Sequence, residues 1–309
     1  MVVTHGSLSP RPQQHALTVG NFDGVHRGHS AMLARVVAQA KGLGLPGCVL
    51  TFEPHPREFF TPTSAPSRLT RLREKLELFA QAGIERTHVA RFDAKLAGLA
   101  PERFIDDVLV AGLGVKWMLV GRDFRFGARR AGDFALLERA AARHGFALEA
   151  MPDVRESDER VSSSAVRAAL AAGDLRRAEL LLGRPYTMSG RVAHGDGLGR
   201  PLGFPTANIV LRRRTPMTGI FIVEAELEET QRRLRGAASI GTRPTIREHA
   251  QPLLEVHLLD FEGVLYGKHL RVTFLEKLRA EQKYDGLDAL RAAIAADVAR
   301  ARRYFDAQG

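Results

Sequence analysis

Gly20-Asn21-Phe22-Asp23-Gly24-Val25-His26-Arg27-Gly28-His29 decides the reading of the first half of this 309-residue chain. A short apolar run, Ala16 to Gly20, leads into it, and amphipathic sequence from about His29 to Lys41 leads out. A glycine-rich turn between strand and helix lets backbone approach a ligand closely. The unpaired first-turn amides of the helix, at the positive end of its dipole, favour an anion there. His26 and His29 flank that helix start, where imidazole N–H groups can donate to phosphate oxygens. Alone, such a turn is also compatible with a mere tight connection. A zinc pair is the other option, but the histidines are three apart, not four as in His-Glu-x-x-His, and no third ligand stands out.

Outward from this turn the alternation continues. Gly47–Phe52, Thr87–Phe92, Lys116–Gly121 and Phe146–Met151 are strand-like. Between them Leu69–Ala82 has helical spacing in Leu72, Leu76 and Phe79, and Pro101–Ala111 and Asp133–His144 read as helices. That order predicts an α/β domain, a Rossmann-like doubly wound parallel sheet with helices on both faces. Leu170–Leu182 reads as a helix stopped at Gly183 with Pro185 beyond, which puts a domain boundary between 1–183 and 184–309. After Tyr186 come short strands between Gly and Pro turns: Gly219–Leu227, Leu253–Phe261 and Leu270–Leu275. Their alternation (Leu254, Val256, Leu258; Leu270, Val272, Phe274) predicts an all-β half, a Greek-key-like antiparallel barrel. A terminal helix with a Leu287, Leu290, Ile294, Val298 stripe closes the chain.

Three more segments in the first half fall at strand ends or helix starts. They are Phe52-Glu53-Pro54-His55-Pro56, the Val120–Gly127 stretch with Asp123, Phe124 and Phe126, and Arg160-Val161-Ser162-Ser163-Ser164-Ala165-Val166-Arg167. Each has a plain reading: a rigid turn, a loop whose phenylalanines enter the core, a helix N-cap. In an open parallel sheet, however, the C-terminal strand ends share one edge, where ligands bind. Four anion-friendly segments on that edge predict a nucleotide site.

In the second half, Gly195, Gly197, Gly199 and Gly203 precede Phe204-Pro205-Thr206-Ala207-Asn208. No Gly-Lys-Ser/Thr closes this run, so it is not a P-loop, and by composition it could be a flexible hairpin. Thr206 and Asn208 sit two apart, so in an extended segment a hydroxyl and an amide oxygen share a face and could hold Mg²⁺. Glu255, on the polar side of an alternating strand, is either solvated or a general base for a hydroxyl.

Composition bounds the rest. Hydrophobic content of 45% and charged content of 26% are those of a globular protein, and no apolar run approaches the ~18 residues of a membrane span. Met1–His15 is polar without an apolar h-region, and Cys48 is the sole cysteine, so a cytoplasmic protein without intrachain disulfide or cysteine-metal site is expected. The +10 charge could serve nucleic acid, solvated surface or small polyanionic substrates. Arg212–Arg214 and Arg232–Arg233 lack interleaved aromatics and read as exposed loops or helix faces.

The first-half motifs, Gly-x-Phe-Asp-Gly-x-His-x-Gly-His, Phe-x-Pro-His-Pro, Val-Gly-x-Asp-Phe-x-Phe-Gly and Arg-Val-Ser-Ser-Ser-x-x-Arg, resemble the FMN adenylyltransferase module of bacterial bifunctional riboflavin kinase/FAD synthetases. Gly203-Phe204-Pro205-Thr206-Ala207-Asn208, Ser239–Thr245, the Glu255 strand and Leu265-Tyr266-Gly267-Lys268 resemble the riboflavin kinase domain. The resemblance implies ATP-dependent phosphorylation of riboflavin to FMN, then adenylylation of FMN to FAD with release of pyrophosphate, both with Mg²⁺. It implies phosphate contacts from Gly20, Phe22, Asp23, Gly24, His26, Gly28 and His29, and pyrophosphate contacts from Arg160, Ser163, Ser164 and Arg167. Phe52, Pro54, His55, Pro56, Asp123, Phe124 and Phe126 would shape the flavin and nucleotide pockets. In the kinase it implies Mg-ATP on Thr206 and Asn208, under the glycines at 195, 197, 199 and 203, with Glu255 as base for the ribityl 5′-hydroxyl. Phe221 stands where many relatives have Tyr, and Arg122 where an acidic residue is common; neither touches the implied chemistry. Partners would be the small molecules riboflavin, FMN and ATP, with no nucleic acid or membrane and with an oligomer left open.

Overall fold

The computed structural model describes residues 1–6, 13–195, 199–211, 213–242 and 252–308. The chain forms two compact units, Met1–Pro66 with Thr70–Ser162, and Ser67–Leu69 with Ser163–Gly309.

A strand covered on both faces must be apolar at nearly every position, because successive side chains face opposite ways. The first unit's strands meet that demand at the centre of the sheet and not at its exposed edge. They are β1 (Val2–His5), β2 (His15–Val19), β3 (Gly47–Glu53), β4 (Arg86–Arg91), β5 (Val115–Gly121) and β6 (Ala147–Met151). All pair in parallel, in the order β1-β4-β3-β2-β5-β6. The helices are α1 (Arg27–Leu43), α2 (Pro56–Phe60), α3 (Leu72–Gln81), α4 (Ala94–Ala97), α5 (Pro101–Arg103), which runs on as a π-helical Phe104–Val110, and α6 (Phe134–His144). Leu17, Val19, Leu50, Met118 and Val120 face Phe104, Ile105 and Leu137 on one side. Ala16, Val49, Trp117 and Leu119 face Val36, Ala40 and Phe79 on the other. The sheet is therefore doubly wound. A small hairpin, β7 (Arg155–Glu156) and β8 (Glu159–Arg160), follows β6.

The second unit opens with α7 (Ser163–Ala172) and α8 (Leu175–Leu182), not with one continuous helix over 170–182. Gly173, at φ +79, takes the left-handed conformation in which a Cβ would run into Lys277, and the Asp174 carboxylate accepts from Arg177 N at 2.9 Å to start α8 afresh. Next come β9 (Thr187–Arg191), β10 (Ala207–Val210), β11 (Gly219–Leu227), β12 (Arg232–Thr242), β13 (Pro252–Leu258) and β14 (His269–Arg279). They pair antiparallel in the order β10-β13-β12-β11-β14-β9, and the Ala193–Asn208 bridge joins the edges into a nearly closed barrel. Arg232 and Arg233 begin β12, not a loop or helix, while Arg213 and Arg214 are exposed in a loop as expected and Arg212 lies outside the described residues.

The final helix, α9 (Leu287–Asp306), is seated by its C-terminal half. Ala301 and Phe305 are buried with Val298 beside them, and Asp297 takes a two-oxygen grip on Arg279. Leu287, expected in the buried stripe, is 69% exposed.

Candidate active sites

The strand order reverses between β2 and β5, since β2, β3 and β4 succeed one another on one side and β5 and β6 on the other. Beyond the carboxyl ends of such strands a parallel sheet leaves a crevice. Here the crevice is lined by Val19 at the end of β2 and Gly20 after it, Gly121 at the end of β5, Met151 at the end of β6, and the start of α1.

The loop into α1 bends sharply. Phe22, Gly24 and Val25 have φ of +50, +85 and +41. For the β-branched Val25 this is a strained conformation, costing about 1–3 kcal/mol and kept only where surroundings impose it. Phe22 is buried, its ring 5.3 Å from Phe79 and 5.0 Å from His29. Asp23 and Gly24 face inward: Asp23 Oδ1 accepts from Thr70 N at 3.1 Å, and Gly24 N donates to Thr70 Oγ1 at 3.0 Å. They brace the loop and do not line the crevice.

His26 caps α1, its Nδ1 accepting from His29 N at 3.3 Å. A backbone amide can only donate, so a neutral His26 ring carries its proton on Nε2. The His29 ring stacks on His26 with centroids 3.6 Å apart. Both rings line the crevice with Gly28. Phe124 and Asp123 complete one wall. Arg160 reaches Asp123 Oδ2 at 2.6 Å and Asp153 Oδ1 at 3.1 Å, and its hydrogen bond to Asp123 raises it further above the usual guanidinium range. Such half-exposed pairs contribute under about 1 kcal/mol, so a phosphate can take the guanidinium over.

Other expected residues sit elsewhere. Phe126 is in the core, stacked on Phe124 at 5.5 Å. His55 caps α2 by accepting from Arg57 N at 3.1 Å, with Pro56 as its first residue; Phe52 lies near the end of β3 and Pro54 follows it. Ser163, Ser164 and Arg167 lie on α7 of the other unit, where Arg167 Nε donates to Ser67 O at 2.7 Å. Sequence reasoning missed Asp153 and a cluster at the ends of α2 and β4. There Phe59 and Phe60 are exposed and pack 5.6 Å from Phe92, which is itself 5.8 Å from Phe52. The Phe59-Phe60 doublet after Pro56 was the available signal.

In the barrel, register brings the expected residues together. Asn208 on β10 lies opposite Glu255 on β13, and Glu255 lies opposite Ser239 on β12. Directly opposed residues share a face, so amide, carboxylate and hydroxyl form one row. Asn208 is 6% exposed and its Nδ2 donates to Thr206 O at 3.3 Å, while its Oδ1 is enclosed without a donor among the described residues. An enclosed acceptor oxygen of this kind, with the Thr206 hydroxyl two residues away, suits a hard cation. Gly195 lets the backbone lie where a Cβ would strike the Asn208 amide; Phe204 N donates to Gly199 O at 2.8 Å, and Gly203 has φ +88. Gly197 lies outside the described residues, as do positions 243–245 of the Ser239 motif. Phe221 is buried, edge-on to Phe274 at 5.4 Å. Glu281, another residue sequence reasoning missed, rests on Gly241, and burial together with the Glu255 charge raises its carboxyl above the usual range.

The family model described as FAD synthetase matches residues 8–165, and the one described as riboflavin kinase matches residues 182–305. The bifunctional riboflavin kinase/FMN adenylyltransferase of Escherichia coli (strain K12) is 49% identical over 97% of this chain and 96% of its own length. Its counterpart from Pseudomonas fluorescens is 48% identical over 96% and 94%. A crystal structure from Streptococcus pneumoniae, named a macrolide-efflux protein, superposes with a TM-score of 0.79 at 26% identity, covering 96% of this chain and 97% of that one. Among the described residues, no helix here is long and apolar enough to cross a membrane.

Proposed function

The chain belongs to the bifunctional riboflavin kinase/FMN adenylyltransferase family, and from that premise we propose how its residues divide the work. It is an enzyme of two activities, phosphorylating riboflavin to FMN and adenylylating FMN to FAD. In our reading residues 1–183 carry adenylyl transfer and 184–309 carry the kinase, in a cytoplasmic protein that takes small molecules and not nucleic acid.

Adenylyl transfer is attack of an FMN phosphate oxygen on the α-phosphorus of ATP. The new P–O bond forms as the bond to the β-phosphate oxygen breaks, and pyrophosphate leaves. No protein nucleophile is needed; positioning and charge stabilisation suffice. His26 and His29 stabilise the phosphates with Gly20 and Gly28, whose lack of side chains keeps the approach open. Arg160, Ser163, Ser164 and Arg167 hold the departing pyrophosphate. Phe124, Phe52, Pro54, His55 and Pro56 border the flavin, and the exposed Phe59 and Phe60 offer an apolar face to its ring system. The observation that carries this reading is the stacked His26–His29 pair at a helix start inside the crevice of the topological switch point.

In the kinase, Glu255 takes the proton of the ribityl 5′-hydroxyl as that oxygen attacks the γ-phosphorus and ADP leaves. Thr206 and Asn208 would hold Mg²⁺ with the ATP phosphates. The ion, when bound, neutralises phosphate charge. The glycines at 195, 197, 199 and 203 keep the loop over the nucleotide slim. The test is to incubate purified protein with riboflavin, ATP and Mg²⁺ and separate the flavins. FMN should appear first and FAD after it; neither appearing would sink the reading.

A further inference from the structure

Lys75 is 1% exposed and lies on the buried side of α3, between Leu72 and Phe79. An ionised amine withdrawn from water must be compensated by hydrogen bonds or charge. Its Nζ donates to the backbone oxygen of Asn21 at 2.8 Å and to Thr51 Oγ1 at 3.4 Å. Asn21 is the residue from which the strained loop departs, through Phe22, Gly24 and Val25, to reach His26. Thr51 Oγ1 also donates to the Asn21 carbonyl, at 3.4 Å. Just before α3, Thr70 holds the same loop at Asp23 and Gly24. The loop is thus gripped at Asn21, Asp23 and Gly24 by Lys75, Thr51 and Thr70, shortly before the two histidines. The grip explains why backbone as unfavourable as that of Val25 persists.

We propose that Lys75 is a positioning residue for adenylyl transfer: its buried ammonium fixes the Asn21 carbonyl inward and thereby sets the loop that presents His26 and His29 to the phosphates. Lys75 touches no reacting atom in this scheme, and the inference rests on the role given above to the histidines. A misplacement of about 1 Å at reacting groups costs on the order of 10²-fold in rate, which is the effect expected when the ammonium is removed.

The experiment uses the full chain and follows FAD formation from supplied FMN and ATP alongside FMN formation from riboflavin. Lys75→Met should lose about 10²-fold in kcat for FAD with a much smaller change in KM for ATP, and should keep its kinase rate. Lys75→Gln retains an N–H donor for Asn21 and should stay within about tenfold of wild type. Residues acting as one unit are not additive, so Lys75→Met combined with His29→Ala should be no more than about threefold slower than His29→Ala alone. A Lys75→Met enzyme within about threefold of wild type, or a double mutant showing the product of the two losses, would overturn the proposal. If Lys75→Met shows no cooperative melting, Lys75→Gln decides: near-normal FAD synthesis supports the hydrogen-bonded grip, and a 10²-fold loss in a folded protein refutes it. A wild-type chain that makes FMN but no FAD would instead remove the reading of the histidines, leaving the two failures distinguishable.

Discussion

The side chain that begins α1 is an imidazole, where serine or aspartate would cap equally well. The extra capability of the ring is its second nitrogen. Nδ1 caps the helix, and Nε2 is the atom we assign to a phosphate oxygen. His29, stacked on it, adds a second donor, and replacing it with alanine should reduce FAD formation by roughly 10²- to 10³-fold. FMN made from riboflavin should then accumulate, visible in a chromatogram of the flavins; equal loss of both products from a folded variant would deny His29 this role. Cys48 makes the opposite kind of prediction. Burial pushes its thiol up to about 12, so almost no thiolate exists near neutrality. Iodoacetamide should leave the native enzyme unlabelled and both activities intact, and should label Cys48 once the chain is unfolded.

Elements formed where their local signals agreed with their burial. Strands β2, β3 and β5 are apolar on both faces and were legible, as was the turn between β2 and α1. β1 was not, because its four residues are mostly exposed and carry no apolar pattern. β12 was hidden by Arg232, Arg233 and Arg235, whose charge reads as loop; in the structure Arg232 covers the Phe261 ring and Arg235 the Phe305 ring, so their stems are part of the packing. The barrel row of Asn208, Glu255 and Ser239 depends on register across β10, β13 and β12, which no single segment encodes. Lys75 was passed over because a lysine on a helix ordinarily signals solvent. Asp297→Ala leaves the Arg279 guanidinium half-buried without its carboxylate and should cost about 3 kcal/mol in denaturant unfolding of the barrel unit. Helices α7 and α8 fold with the barrel, where Tyr186 OH also donates to Leu69 O at 3.1 Å. A fragment from Ser163 should therefore melt higher than one from Arg184, while both make FMN; identical melting would mean that the helix pair contributes nothing to the barrel.

At the scale of the whole molecule, one chain holds two differently built units, an open parallel sheet and a nearly closed antiparallel barrel. Within the +10 charge, Arg35, Arg143 and Arg302 are paired on the surface with Asp or Glu. The central claim is that the two transfers are chemically separate, with Glu255 serving one and not the other. Its most direct test is Glu255→Gln, which keeps shape and removes the proton acceptor, measured in both half-reactions on the same protein sample. FMN formation from riboflavin should fall by about 10²- to 10⁴-fold, while FAD formation from supplied FMN should proceed near the wild-type rate. Kinase turnover within about threefold of wild type, or a parallel fall in both half-reactions, would contradict the account.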